Sequence, residues 1–303
     1  MGMTSVAHWL SLGEGSTPLV EARNTPGLHL KLEMLNTTGS FKDRGMVVAV
    51  ERAVERGARS LVCASTGNTA ASAAAYAARA GVEAVVLTPA GATAGAKRAQ
   101  ARAVGAKVVE VRGTFDDALR LCRELGERDG FALVNSVNPD RLEGQKTVVF
   151  ELIEQLGAAP DVIALPFGGG GNVSAVARGC EEAGIEPEIV VGQAADRPNT
   201  FASAIRIGEP AHAENVARLV SEGRVRVVTL TDDAIRAAWQ RLSRDEGAFC
   251  EPASAAGFAA VQGFAGTAVA VVTGHGLKDT SPVDQSAEDT VEPTVEAVLE
   301  AIA

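Results

Sequence analysis

Along this chain, short apolar runs of strand type alternate with longer stretches whose apolar positions recur at helical spacing: 60–63 then 69–79, 84–87 then 94–104, 107–111 then 115–126. A repeated strand, helix, strand order implies right-handed crossovers and hence a parallel sheet covered by helices on both faces. A second series follows Pro160, with strands at 162–165, 189–192 and 268–273 and helices at 173–183, 232–244 and 253–264. The simplest account is an α/β protein of two open, mostly parallel α/β/α layers. No repeat, heptad or low-complexity segment breaks the alternation, and 280–294 reads as an acidic, proline-containing surface tail.

Composition narrows the class further. The 303 residues are 46% hydrophobic and only 4% aromatic, which is ample for the cores of one or two domains. The formal charge of -10 repels a phosphate backbone, so nucleic acid is not an expected partner. Cys63, Cys122, Cys180 and Cys250 form no CxxC pair, which points to a reducing cytoplasm. No apolar run approaches the ~18 residues of a membrane span, and 1–15 lacks the charged-then-apolar pattern of a leader, so the chain reads as soluble and untargeted.

Ligands of open α/β sheets sit in the crevice at the carboxyl ends of strands, and several polar or glycine-rich runs fall at such ends. In Asn36-Thr37-Thr38-Gly39-Ser40-Phe41-Lys42-Asp43-Arg44-Gly45 a polar turn enters an apolar helix over 46–54. Lys42 then lies near a helix N-terminus, where the dipole disfavours a cation and lowers an amine pKa, as a nucleophilic lysine needs. The alternative is an ordinary surface lysine on a helix capped by Thr38 or Ser40. Gly168-Gly169-Gly170-Gly171-Asn172, between strand and helix, offers a turn of backbone N–H groups to one phosphate; its spacing fits neither a dinucleotide site nor an NTPase loop. A merely flexible turn is the plainer reading.

Ser65-Thr66-Gly67-Asn68-Thr69 opens another helix with hydroxyls, a carboxamide and free N–H groups suited to a carboxylate or phosphate oxygen. Asn135 and Ser136 with Arg141 and Lys146 form a polar stretch able to grip a second anion, or else an ordinary loop. Thr273-Gly274-His275-Gly276 ends a strand with glycines that admit a ring, and His275 alone supports neither acid–base chemistry nor a zinc site.

Together and in this order, from about Leu12 to Asp279, these segments resemble the threonine synthase family of the fold-type II (tryptophan synthase β-like) pyridoxal 5'-phosphate enzymes. Ser40-Phe41-Lys42-Asp43-Arg44-Gly45, Glu143-Gly144-Gln145-Lys146-Thr147 and Glu251-Pro252-Ala253-Ser254-Ala255 match that family's versions. The resemblance implies that Lys42 carries the cofactor as a Schiff base and moves protons, and that Gly168, Gly169, Gly170, Gly171 and Asn172 hold its phosphate. It places Asn68 at the 3'-oxygen and Thr273 at the pyridine nitrogen. Ser65, Thr66, Gly67 and Thr69 would hold the substrate carboxylate and part of its phosphate, with Asn135, Ser136, Arg141 and Lys146 completing the phosphate site. The implied activity is that of a carbon–oxygen lyase converting O-phospho-L-homoserine and water to L-threonine and phosphate. A smaller mobile domain at 32–137 would close on a larger one at 1–31 and 138–303, within a homodimer. Thr37 stands where the family usually has Pro, and the four-glycine run replaces Gly-Asn-x-Gly. Two competing readings stay open: a paralogue acting on a related phosphorylated or β-substituted amino acid, and a threonine/serine dehydratase, which needs no second anion site.

Overall fold

The computed structural model describes residues 8–91, 95–283 and 290–302. In chain order the elements are β1 (Leu19–Glu21), β2 (Leu28–Lys31), α1 (Lys42–Glu55), β3 (Ser60–Ala64), α2 (Asn68–Ala80), β4 (Glu83–Pro89) and α3 (Ala96–Ala103). Then come β5 (Lys107–Val111), α4 (Phe115–Gly126), β6 (Phe131–Leu133), α5 (Asp140–Gln145), α6 (Thr147–Leu156), β7 (Val162–Pro166) and α7 (Gly171–Ala183). The chain continues through β8 (Glu188–Ala194), α8 (Ala213–Ser221), β9 (Val225–Leu230), α9 (Asp232–Arg244), α10 (Ala255–Ala260), β10 (Ala268–Val271) and α11 (Val295–Ala301).

Two sheets result, as the alternation of runs predicts. One has four parallel strands in the order β5-β4-β3-β6. The other has six in the order β1-β2-β10-β7-β8-β9, parallel except for β1. The four-stranded sheet is drawn from 60–133 and the six-stranded one from 19–31 and 162–271. Helix α1 belongs to the core of the smaller layer, where Met46, Val47 and Val50 pack with Leu61, Ala70, Ala73 and Tyr76. Buried strands such as β7, Val-Ile-Ala-Leu, are apolar on both faces because helices cover both.

Two expectations change. The helix predicted at 253–264 is a single 3-10 turn, Pro252–Ser254, followed by α10, which stops at Ala260; Gly263, at φ +77°, lies in the turn beyond it. The strand predicted at 268–273 ends at Val271, because Val272 bonds across to Lys31 and Thr273 turns to meet the start of α1. The short strands β1 and β2 and the pair α8 and β9 are further elements of the structure, beyond those read from the alternation of runs. Ala94, and 284–289 of the expected tail, lie outside the described residues. Among the described residues, no helix is long and apolar enough to cross a membrane. All four cysteines are free and buried.

One contact sets where the two layers meet. Helices α1 and α5 cross with glycines face to face, so that a Cβ on Gly144 would overlap the Arg44 carbonyl oxygen and a Cβ on Gly45 would overlap that of Arg141. Backbones this close leave no room for a methyl group. Gly144→Ala is expected to cost about 1–3 kcal/mol through overpacking, read as a lower urea midpoint; an unchanged midpoint would show that the crossing relaxes freely.

Candidate active site

The site is built around the first turn of α1. Phe41 N donates to Thr273 O at 3.0 Å, His275 N donates to Gly39 O at 3.0 Å, and Ser40 pairs with Gly274 in an antiparallel bridge. The helix start is thereby stitched to the loop after β10. The Thr38 or Ser40 cap of the alternative reading is absent: Phe41 occupies the N-cap position, and no side chain closes it. Asp43 organises the turn instead, accepting from Thr38 N at 2.7 Å, Thr38 Oγ1 at 2.6 Å and Ser72 Oγ at 2.6 Å.

Arg44 holds the other side. Its guanidinium grips Glu33 through Nε at 2.6 Å and Nη2 at 2.7 Å, and Glu151 through Nη1 at 2.6 Å and Nη2 at 2.7 Å. Lys31 Nζ, fully buried, adds a 2.8 Å contact to Glu151 and a 2.7 Å bond to Thr17 O. Two cations against two carboxylates make a neutral buried quartet, the condition under which such charges are tolerated.

Lys42 lies between these anchors, partly exposed, with Nζ 4.4 Å from the Phe41 ring centroid. Desolvation first, and the Arg141 charge second, pull its amine down to about 7, against an opposing pull from Glu251. A large fraction of the amine is therefore neutral and nucleophilic near pH 7. Arg141 is fully buried on α5; Nη1 donates to Val134 O at 2.9 Å, while Nε and Nη2 have no partner, and burial lowers its pKa to about 10. A buried guanidinium with two idle nitrogens is costly unless an anion meets it.

The other predicted runs join this centre through a chain of contacts. Asn135 uses both ends of its carboxamide on Ala64, accepting from N at 2.9 Å and donating to O at 2.8 Å, and so fixes where β3 ends and the Ser65 loop begins. In that loop Ser65 Oγ accepts from Gly67 N at 3.0 Å, Thr66 is exposed and Thr69 half-buried. Asn68 Nδ2 donates to Glu251 Oε1 at 2.6 Å, and its Oδ1 is buried without a partner. Ser254 Oγ lies 3.0 Å from Thr273 Oγ1 and accepts from the amides of Thr273 and Gly274. Gly170, at φ +83°, caps α7 in the left-handed conformation that glycine permits, and Gly168 packs so tightly that a Cβ would stand 3.2 Å from Ala204 O.

Some groups arrive that sequence patterns do not single out. His212 N donates to Gly169 O at 3.0 Å and its Nε2 lies 2.9 Å from Ser136 O, tying the glycine turn to the Ser136 segment. Arg197 donates to Gly168 O at 3.0 Å and lies over the Phe167 ring. Neither sits in a local motif. Lys146, in contrast, does not join Arg141: Glu143 and Glu182 hold its amine at 2.7 Å each, on the outer side of α5 and α7. Its place in the sequence, five residues beyond Arg141, suggests a shared anion; the two acidic neighbours claim it instead. His275 is occupied locally, accepting from Leu277 N at 3.1 Å.

These residues suit pyridoxal phosphate on structural grounds: an amine near neutral pKa, a glycine turn opening α7 for a phosphate, and orphaned buried polar atoms on Asn68, Asn172 and Arg141. A nucleophilic lysine at the joint of two open parallel layers, with strand-end loops of both converging on it, defines the fold-type II class of pyridoxal phosphate enzymes. The family profile described as pyridoxal-phosphate dependent enzyme matches residues 10–274. Threonine synthase of Halalkalibacterium halodurans is 45% identical, with 91% of this chain and 86% of that one covered. That of Synechocystis is 42% identical, covering 97% and 85%. Among solved structures, the T.th. threonine deaminase superposes with a TM-score of 0.74 at 27% identity over 89% and 94% of the two chains. Maize serine racemase gives 0.75 at 24% identity, over 86% and 88%, a likeness of fold. The chain belongs to the threonine synthase family of pyridoxal-phosphate-dependent enzymes.

The quartet around Arg44 carries an acid signature. The Glu151 carboxyl is held at about 2 against an ordinary value of 4.5; burial opposes the shift, and the Arg44 and Lys31 contacts overcome it. A depressed carboxylate stabilises the fold above its unfolded pKa and loses that contribution as pH falls through the folded one. Between pH about 4.5 and about 2 the protein is expected to lose on the order of 2 kcal/mol from this group. Glu151→Gln should flatten that part of the pH–stability curve while lowering stability at pH 7; an unaltered acid slope would refute the assignment.

Proposed function

We propose that this protein converts O-phospho-L-homoserine and water to L-threonine and phosphate, by γ-elimination followed by hydration at Cβ. The observation that carries this reading is Arg141, fully buried beside Lys42 with two guanidinium nitrogens unpartnered. The substrate carboxylate has its own place at the start of α2, so the idle guanidinium nitrogens suit a further anion, and a phosphorylated substrate brings one. The names of the relatives at 42–45% identity support the same reaction.

Pyridoxal phosphate, when bound, supplies the electron sink that acidifies the substrate's Cα and Cβ protons. Lys42 attaches it and, with an amine near neutral pKa, takes and returns protons at those two carbons. Gly168 to Gly171 and Asn172 hold the cofactor phosphate at the start of α7. Asn68 serves the 3'-oxygen. Thr273, a neutral hydroxyl 3.0 Å from Ser254 Oγ, would meet the pyridine nitrogen without a carboxylate to protonate it, so the cofactor would supply a milder sink suited to elimination over transamination. Ser65, Thr66, Gly67 and Thr69 bind the substrate carboxylate. Arg141 and Ser136 bind the substrate phosphate, and Asn135 acts through Ala64 by shaping the loop.

Closure of 32–137 against the remainder excludes water until the hydration step. The protein works as a cytoplasmic homodimer in this reading, and light scattering of the purified protein tests the oligomeric state.

Phosphate release is the deciding assay, with O-phosphohomoserine, O-phosphoserine and free threonine as substrates. Release from O-phosphohomoserine with stoichiometric threonine is expected; ammonia from threonine without phosphate release from either phosphorylated substrate would make it a dehydratase. Lys42→Ala should abolish the visible absorption of the loaded protein and all turnover. Arg141→Ala should raise KM for O-phosphohomoserine about 10- to 100-fold, the size expected for charge-assisted bonds, and leave cofactor binding intact. An unchanged KM would remove the second anion site.

A further inference from the structure

Glu251 is a carboxylate of the larger layer on which two helix starts of the smaller layer converge. It is 1% exposed, precedes the Pro252–Ser254 turn, and is fixed at its backbone by a 2.8 Å bond from its N–H to Gly274 O. Oε1 accepts from Asn68 at the start of α2 at 2.6 Å, and Oε2 meets Lys97 Nζ at 2.5 Å. Lys97 is itself only 7% exposed and stands in the first turn of α3, where a cation faces the positive end of the helix dipole. The carboxylate offsets both the burial and the dipole.

The two ends of a carboxamide are nearly equal in shape but opposite in chemistry, one donating and one accepting. An ionised carboxylate only accepts. The bond to Glu251 therefore selects which way Asn68 points: Nδ2 lies toward the acid, its second N–H remains to be offered, and the unpartnered Oδ1 is turned away. A phenolic oxygen of a cofactor calls for that donor.

We propose that Glu251, with Lys97 as its countercharge, is a positioning residue: it fixes the Asn68 carboxamide so that one N–H is presented to the cofactor's 3'-oxygen, and it ties that orientation to the seating of α3 on the larger layer. The inference rests on the role given to Asn68 in the proposed function. Glutamine at 251 removes the selection, since its own N–H can donate to Asn68 Oδ1 and permit the flipped carboxamide.

The test is a double-mutant cycle on the loaded enzyme, read by the visible absorption maximum and by kcat and KM separately. Asn68→Ala and Glu251→Gln should each displace the absorption maximum and lower kcat about 10-fold, the effect of losing one hydrogen bond, with KM within about 3-fold of the wild type. Adding Glu251→Gln to Asn68→Ala should displace the absorption maximum no further, while kcat still answers to the loss of the Glu251 charge near the Lys42 amine. The paired variant Glu251→Gln with Lys97→Met removes both buried charges together, so it should fold without an unpaired lysine and still show the displaced band. A wild-type band in the paired variant, or additive band displacements in the cycle, would overturn the proposal. Retention of the visible band in Lys42→Ala would instead point to failure of the Lys42 assignment in the proposed function.

Discussion

The grip of Arg44 on Glu33 and Glu151 is the constraint on which the rest of this site depends. A guanidinium that satisfies two carboxylates through three nitrogens has one permitted position, and it fixes the first turn of α1 to better than a side-chain rotation. Lys42 is two positions earlier in the same turn and inherits that precision. The residue between them, Asp43, answers to a different set of partners, Thr38 and Ser72, on the smaller layer. The lysine is thus held from both layers at once, by neighbours that face opposite ways. The ionic contacts that lock the helix are neutral as a group, so the depressed basicity of Lys42 is left to its own burial and to Arg141.

The close crossing at Gly45 and Gly144 adds the second half of that arrangement. Only because α1 and α5 touch backbone to backbone does the Arg141 side chain come close enough to influence the Lys42 amine. A glycine pair some hundred residues apart in sequence therefore sets the distance between the Lys42 amine and the Arg141 guanidinium. Asn135 acts at a similar remove: it commits its whole carboxamide to Ala64 and fixes where the loop after β3 begins.

Much of this was legible in the sequence. The alternation of runs announces two parallel layers because each buried strand must be apolar and each crossover helix amphipathic, and both signals are periodic. The strand-end loops at Ser65, Gly168 and Thr273 announce a crevice because sheets of this kind place function there. What was not legible depends on partners distant in the chain. The missing cap on α1 could not be foreseen, since the tie between Phe41 and Thr273 replaces it across 232 positions. Lys146 looks like a companion of Arg141 until the acidic face of α7 is brought beside it. His212 and Arg197 sit in loops without pattern, and only the folded chain sets them against the glycine turn.

The buried thiols have a practical consequence. Desolvation pushes Cys63, Cys122 and Cys180 up to about 12 and Cys250 higher still, so none offers an appreciable thiolate at neutral pH. The folded protein is in effect thiol-silent toward maleimides and mild oxidants. A single cysteine engineered on the outer surface of α3 would become its one reactive handle, and a fluorophore placed there would report on that helix alone without any native cysteine being removed.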